Sequence, residues 1–172
     1  MAARIATNTW PATLARVVAV RSNDPVCLGQ CLADARALLG RSRVLGPVGN
    51  HRNRELTVRY RAATRELDAL ADALDAIHYF AAEIEPELTS TKTIVCEDYW
   101  SLRLDKLRNA ALGVAAERMI ESMPAPRLIV SVAPHGLRRA PLPLEVEELR
   151  VPSGVLFREC LARELRLRGL GE

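Results

Sequence analysis

A mainly α fold is what this chain predicts: a long antiparallel helical hairpin over about 52–85 and 97–123, with shorter flanking helices and a small C-terminal β element. Three observations carry that expectation. First, apolar residues recur at Leu56, Tyr60, Ala63, Leu67, Leu70, Leu74, Ile77, Ala81 and Ile84, in steps of four and three. That is the seam of an amphipathic helix lying against another helix, as in a coiled coil. Second, Pro86 closes this stretch, because the residue before a proline is pushed out of the helical region. A polar connector from Leu88 to Thr93 follows, and Glu97 and Asp98 then set carboxylates at the positive end of a second helix, which stops before Pro124 and Pro126. So short a connector makes the two helices antiparallel neighbours. Third, the charges match across such a hairpin: Arg61 and Arg65 face Glu121 and Glu117, while Asp72 and Asp75 lie near Lys106 and Arg108.

The flanking elements follow in order. Thr9-Trp10-Pro11 opens Ala12 to Val20, read as a short helix although Val17, Val18 and Val20 blur its period. Asp24 followed by Pro25 is an N-cap acceptor with proline in the first helical position, and Gly40 ends that helix after Leu39. Its apolar stripe is Leu28, Cys31, Leu32, Ala35, Leu38 and Leu39. Residues 40–51 hold three Gly, a Pro and an Asn and form a hinge loop. Beyond Pro126 the β-branched run from Arg127 to Ala133 reads as a strand, and Leu142 to Val151 as a second, paired with it in a hairpin. Ser153 caps a last helix from Val155 to about Arg168.

At 172 residues the chain is expected to form a single domain, with an N-terminal helical segment and hinge over 1–50, the hairpin over 51–124, and the β element with its terminal helix over 125–172. The basic residues are 22 Arg and two Lys, a bias that follows coding composition more readily than a need for guanidinium. The net charge of +3 divides into +8 over 1–65, −7 over 66–126 and +2 over 127–172. Segregation of this kind points to internal pairing or a polar partner surface, not to a uniform nucleic-acid coat. Cysteines stand at 27, 31, 96 and 160 with no CxxC pair, and no apolar run is long enough to span a membrane. Free thiols in a reducing intracellular compartment are expected, cytoplasmic or within a large assembly. The acid-free, arginine-bearing first 23 residues leave a mitochondrial presequence as the alternative to a basic first helix.

The most suggestive acidic cluster is Asp72 and Asp75 with His78. Two carboxylates one helical turn apart suit Mg²⁺, which takes oxygen ligands and keeps water. The run from Asp72 to Leu88 resembles, over fewer than 20 residues, the second metal-binding helix of the all-α NTP pyrophosphohydrolases. The resemblance implies an all-helical nucleotide hydrolase in which Asp72 and Asp75 hold Mg²⁺ and Tyr79 takes the aromatic position. That family's upstream Glu-x-x-Glu pair has no counterpart, and a solvated face paired with the partner helix accounts for the same acids. Asp75 and His78 also match half of a carboxylate-bridged di-metal bundle, without a second half. Cys27 and Cys31 lack histidines at metal-ligand spacing and read as small buried thiols. No nucleophile motif or glycine-rich phosphate loop occurs.

These readings converge on a non-enzymatic interaction or assembly subunit, with the hairpin as scaffold and other protein subunits as partners. Arg54, Arg59, Arg61 and Arg65 are the expected polar docking residues, and Leu67, Leu70, Leu74 and Ile77 the helix seam. No cofactor is required. The alternatives are the Mg²⁺-dependent hydrolase on Asp72 and Asp75, and nucleic-acid binding through the arginine-rich start of the long helix.

Overall fold

The computed structural model describes residues 11–22, 24–40, 43–45, 76–101, 123–132, 146–151 and 156–170. It is an α/β structure. Four strands, β1 (Thr13–Ser22), β2 (Ile94–Glu97), β3 (Ala125–Val132) and β4 (Glu148–Val151), form one sheet in the order β2-β1-β3-β4. Every neighbouring pair is parallel. Helix α1 (Pro25–Leu39) follows β1, and helix α2 (Phe157–Leu167) follows β4.

The expected mainly α hairpin is therefore corrected. Strand β2 lies between the two expected helices and pairs with β1, so the chain enters the sheet where only a connector was anticipated. The coiled-coil reading and the cross-hairpin charge pairs fall with it. Residues 52–75 and 102–122 lie outside the described residues, but the end of the first seam is visible. A helical turn at 76–79 runs into a π turn, Phe80–Ile84, and then a 3₁₀ turn, Glu85–Thr89. Ala76, Tyr79, Phe80 and Ile84 are buried while Ala81 is exposed and Ile77 only partly covered. The wider π turn changes the angular spacing, so the stripe departs from the strict four-and-three seam.

The Ala12 to Val20 segment is strand β1, not a helix. Val17, Val18, Ala19 and Val20 are all fully buried. An amphipathic helix buries one stripe, whereas an interior parallel strand is covered on both faces and reads as a continuous apolar run. Even-numbered Val18 and Val20 face α1 and α2, in a core with Leu32, Phe157, Leu161 and Leu165. Odd-numbered Val17 and Ala19 face the other way, toward Tyr79, Phe80, Ile84, Tyr99 and Trp100. Two hydrophobic layers thus sandwich the sheet.

The anticipated strand beyond Pro126 is present, beginning earlier, at Ala125, and it pairs with β4, but the two are parallel and no hairpin joins them. Moreover, β3 is an interior strand, hydrogen-bonded to both β1 and β4, and not part of a small appendage. Helix α1 forms where Asp24-Pro25 and Gly40 set its limits. The Asp24 carboxylate accepts from Val26 N–H at 2.9 Å, and Gly40 sits at φ 86°. Helix α2 ends with Gly169 at φ 63°, which turns Leu170 back into the core, its N–H bonding to Leu165 C=O at 2.8 Å. Leu170 C=O then accepts from the Thr93 hydroxyl at 2.6 Å, tying the end of α2 to the start of β2. The outer edge of β2 is partly covered by residues 43–45: Leu45 N–H bonds to Val95 C=O at 2.9 Å, and Arg43 Nε donates to Thr93 C=O at 3.0 Å. Among the described residues no helix is long and apolar enough to cross a membrane.

Candidate functional site

In a parallel sheet the carboxyl ends of the strands lie at one edge, and a crevice opens where successive connections depart in opposite directions. Here β1 is flanked by β2 on one side and β3 on the other, so that point lies between β1 and β3. The register sets Arg21 beside Ser131 and Ser131 beside Arg150, with Glu148 one pleat back on the same face.

These four side chains form one network. Arg21 Nε donates to Ser131 Oγ at 2.6 Å, and Arg21 Nη2 to Glu148 Oε1 at 2.7 Å. The Ser131 hydroxyl donates to the same carboxylate oxygen, while Arg150 Nε reaches Glu148 Oε2 at 2.9 Å. Side chains of Arg21 and Glu148 are each 12% exposed, and that of Arg150 is 72% exposed. Burial alone would push the Glu148 carboxyl up, but the hydrogen bonds from Ser131, Arg21 and Arg150 outweigh it and hold it below the ordinary carboxylate range. Among the described residues the network joins two guanidinium groups to one carboxylate, and Arg150 is its exposed member.

The end of β2 supplies a second polar group. Asp98 is buried and accepts from Trp100 N–H at 2.9 Å, Ser101 N–H at 3.0 Å and the Ser101 hydroxyl, capping the helical turn that begins there. Its own N–H bonds to Val20 C=O at 2.9 Å. The placing of carboxylates at a helix start thus holds for Asp98, although Glu97 belongs to β2. After β1, Asp24 caps α1, and Ser22 Oγ accepts from Asp24 N–H at 3.2 Å. Chemically the carboxyl edge offers charge and hydrogen-bond donors whose partners are largely one another.

Of the residues anticipated from sequence, Arg54, Arg59, Arg61, Arg65, Leu67, Leu70, Leu74, Asp72 and Asp75 lie outside the described residues. Ile77 packs, partly buried, against the Tyr79 side of the core. The all-α NTP pyrophosphohydrolase resemblance implies an all-helical fold, which the parallel sheet excludes. Tyr79, its aromatic position, is 1% exposed in the core. Cys31 is buried and Cys27 partly so, in the layer between α1 and the sheet, and all four cysteines are free thiols. Burial first, and then the neighbouring Cys27 thiol, push the Cys31 thiol up to about 12. Among the described residues no group of three or more His, Cys, Asp or Glu side chains is arranged to hold a metal ion.

Arg21, Ser131, Glu148 and Arg150 were not singled out by the sequence reasoning. A signal was present: Arg21 and Ser131 are polar residues at the ends of apolar, β-branched runs, where parallel strands deliver side chains to the carboxyl edge. It becomes readable only once β1 is recognised as a strand. Comparison of the chain with protein-family models, curated proteins and solved structures finds no match.

Proposed function

We propose that this chain is a non-enzymatic interaction or assembly subunit, an α/β domain that docks other protein chains. The observation that carries this reading is the state of the switch point: Arg21, Ser131, Glu148 and Arg150 are engaged with one another across β1, β3 and β4. A catalytic group needs a free lone pair or proton aimed at substrate, whereas a carboxylate held by three donors is stabilised in one ionisation state. Such a network instead rigidifies three strand ends and leaves Arg150 exposed as a positive contact. Arg54, Arg59, Arg61 and Arg65 are the proposed docking residues, on the grounds of the +8 charge of residues 1–65. Four free thiols support a reducing, intracellular setting for the subunit.

The test is the solution mass of the purified chain by light scattering, alone and after co-expression with its natural background of proteins, with the ultraviolet absorbance ratio followed across the peak. A defined assembly containing protein only is expected, and Arg59→Ala with Arg61→Ala should weaken it while leaving the melting temperature unchanged. A monomer that takes up no protein overturns the proposal. Co-purified nucleic acid, released by salt and lost in the same double variant, would replace it with nucleic-acid binding.

A further inference from the structure

The opposite edge of the sheet holds a groove of about 390 Å³ that the carboxyl-edge network does not use. It lies at the amino ends of β1 and β2, beside the 3₁₀ turn Glu85–Thr89. Its size falls within the range of small-molecule sites. Its floor is apolar, made by Leu14, Val17 and Ile94, each at most 5% exposed. Its rim is cationic and hydroxylic: Arg16 and Lys92, with Thr13 and Ser90.

The backbone accounts for the position of Arg16. Between Leu14, paired with Pro126, and Val18, paired with Leu128, β1 sets Ala15, Arg16 and Val17 against Arg127 alone. This bulge breaks the alternation of the strand, so that Ala15 and Arg16 are exposed in succession. Bulges re-aim side chains in this way and recur beside binding sites. Pro126, which has no N–H to donate, pairs with Leu14 at the border of the bulge, where the ladder is interrupted. Neither Arg16 nor Lys92 meets a carboxylate among the described residues. Two cations on the rim of one small groove both attract an anion seated between them.

We propose that this groove binds a small amphipathic carboxylate, of the class of a medium-chain fatty acid or an aryl carboxylate. Arg16 and Lys92 hold the carboxylate, the hydroxyls of Thr13 and Ser90 complete its hydrogen bonds, and the apolar body lies on Leu14, Val17 and Ile94. An inorganic anion leaves that floor wet, and an uncharged apolar molecule leaves the cations unanswered. The site is independent of the subunit role proposed above.

Octanoate is the probe, with acetate and octanol as partners lacking one half of its chemistry. Calorimetric titration and amide chemical shifts would be read on the full chain. Octanoate is expected to bind in the sub-millimolar range and to shift the amides of Thr13 to Val17 and Ser90 to Ile94. Acetate and octanol should each bind about tenfold more weakly or worse, and Arg16→Gln with Lys92→Gln should weaken octanoate by about tenfold or more. Both substituted residues are exposed, so an unchanged melting temperature verifies the fold of the variant. Octanol binding as tightly as octanoate, shifts located elsewhere, equal binding to the double variant, or no octanoate binding would each overturn the proposal.

Discussion

Tyr79 shows what a single buried atom contributes. Its ring is 1% exposed and fills the layer on the odd-numbered face of β1, yet among the described residues its hydroxyl has no hydrogen bond of normal geometry, the backbone of Glu97 being the polar group that faces it. Burial, with smaller additions from Cys96 and the nearby carboxylates, pushes the phenol well above its ordinary range. A buried hydroxyl without a partner carries a desolvation penalty of about 1–3 kcal/mol. Tyr79→Phe should therefore be neutral or stabilising, by up to about 1 kcal/mol in urea unfolding, and a loss of more than about 1 kcal/mol would mean that the hydroxyl does bond. Arg21 is the opposite case. Arg21→Met leaves the Glu148 carboxylate 12% exposed and short of a charged donor, at a cost of about 2–3 kcal/mol. The folded pKa of Glu148 lies below the ordinary 4.5, so its contribution is complete above that value and is lost as pH falls through the folded pKa. Melting temperature should drop below about pH 4.5, and Glu148→Gln should flatten that limb. An unaltered pH profile in Glu148→Gln would remove this carboxylate from the account.

At the scale of elements, α1 was legible because its ends are written in local chemistry, whereas α2, expected from Val155 behind a Ser153 cap, begins at Phe157 with Leu156 as an N-cap that makes no side-chain bond. Asp24-Pro25 and Gly40 bound α1, and an apolar side of Phe157, Leu161 and Leu165 marks α2. The short strand β2 was not legible: Ile94–Glu97 holds three apolar residues and a Glu, and so brief a run has no period to distinguish it. Helix α2 holds its layer through Leu161, fully buried against β-strand valines. Leu161→Ala should cost about 2–4 kcal/mol, chiefly from the cavity left behind. The exposed Leu167→Ala, on the same helix, should change stability by no more than about 0.5 kcal/mol, as urea unfolding of the pair would show.

For the whole molecule, the cysteines report on both layers at once. Cys31 lies between α1 and the sheet, and Cys96 on the opposite face, each 0% exposed. Burial raises both thiols, with Cys27 adding to the effect at Cys31 and Asp98 at Cys96, so the reactive thiolate is scarce as well as shielded. Iodoacetamide should label the half-buried Cys27 and Cys160 in the folded chain, while Cys31 and Cys96 become reactive only with unfolding and at a shared denaturant midpoint. Separate midpoints would mean that the two layers open independently.

Taken alone, the sequence determined the chemistry that acts over a few residues: the cap and stop of α1, the strand character of the run beyond Pro126, and the free state of the cysteines. It also held the residues of both candidate sites without marking them as sites. The tertiary structure decided what depends on contacts between distant segments. Val17 to Val20 form a strand because two layers cover them, and Ile94–Glu97 form one because β1 offers an edge to pair with. Arg21, Ser131 and Glu148 meet because a parallel register joins positions more than a hundred residues apart. The bulge that leaves Ala15 and Arg16 exposed in succession beside the groove exists only as a mismatch between β1 and β3. Periodicity senses neighbours three or four residues away along the chain, and a parallel sheet is built from neighbours that are far apart in it.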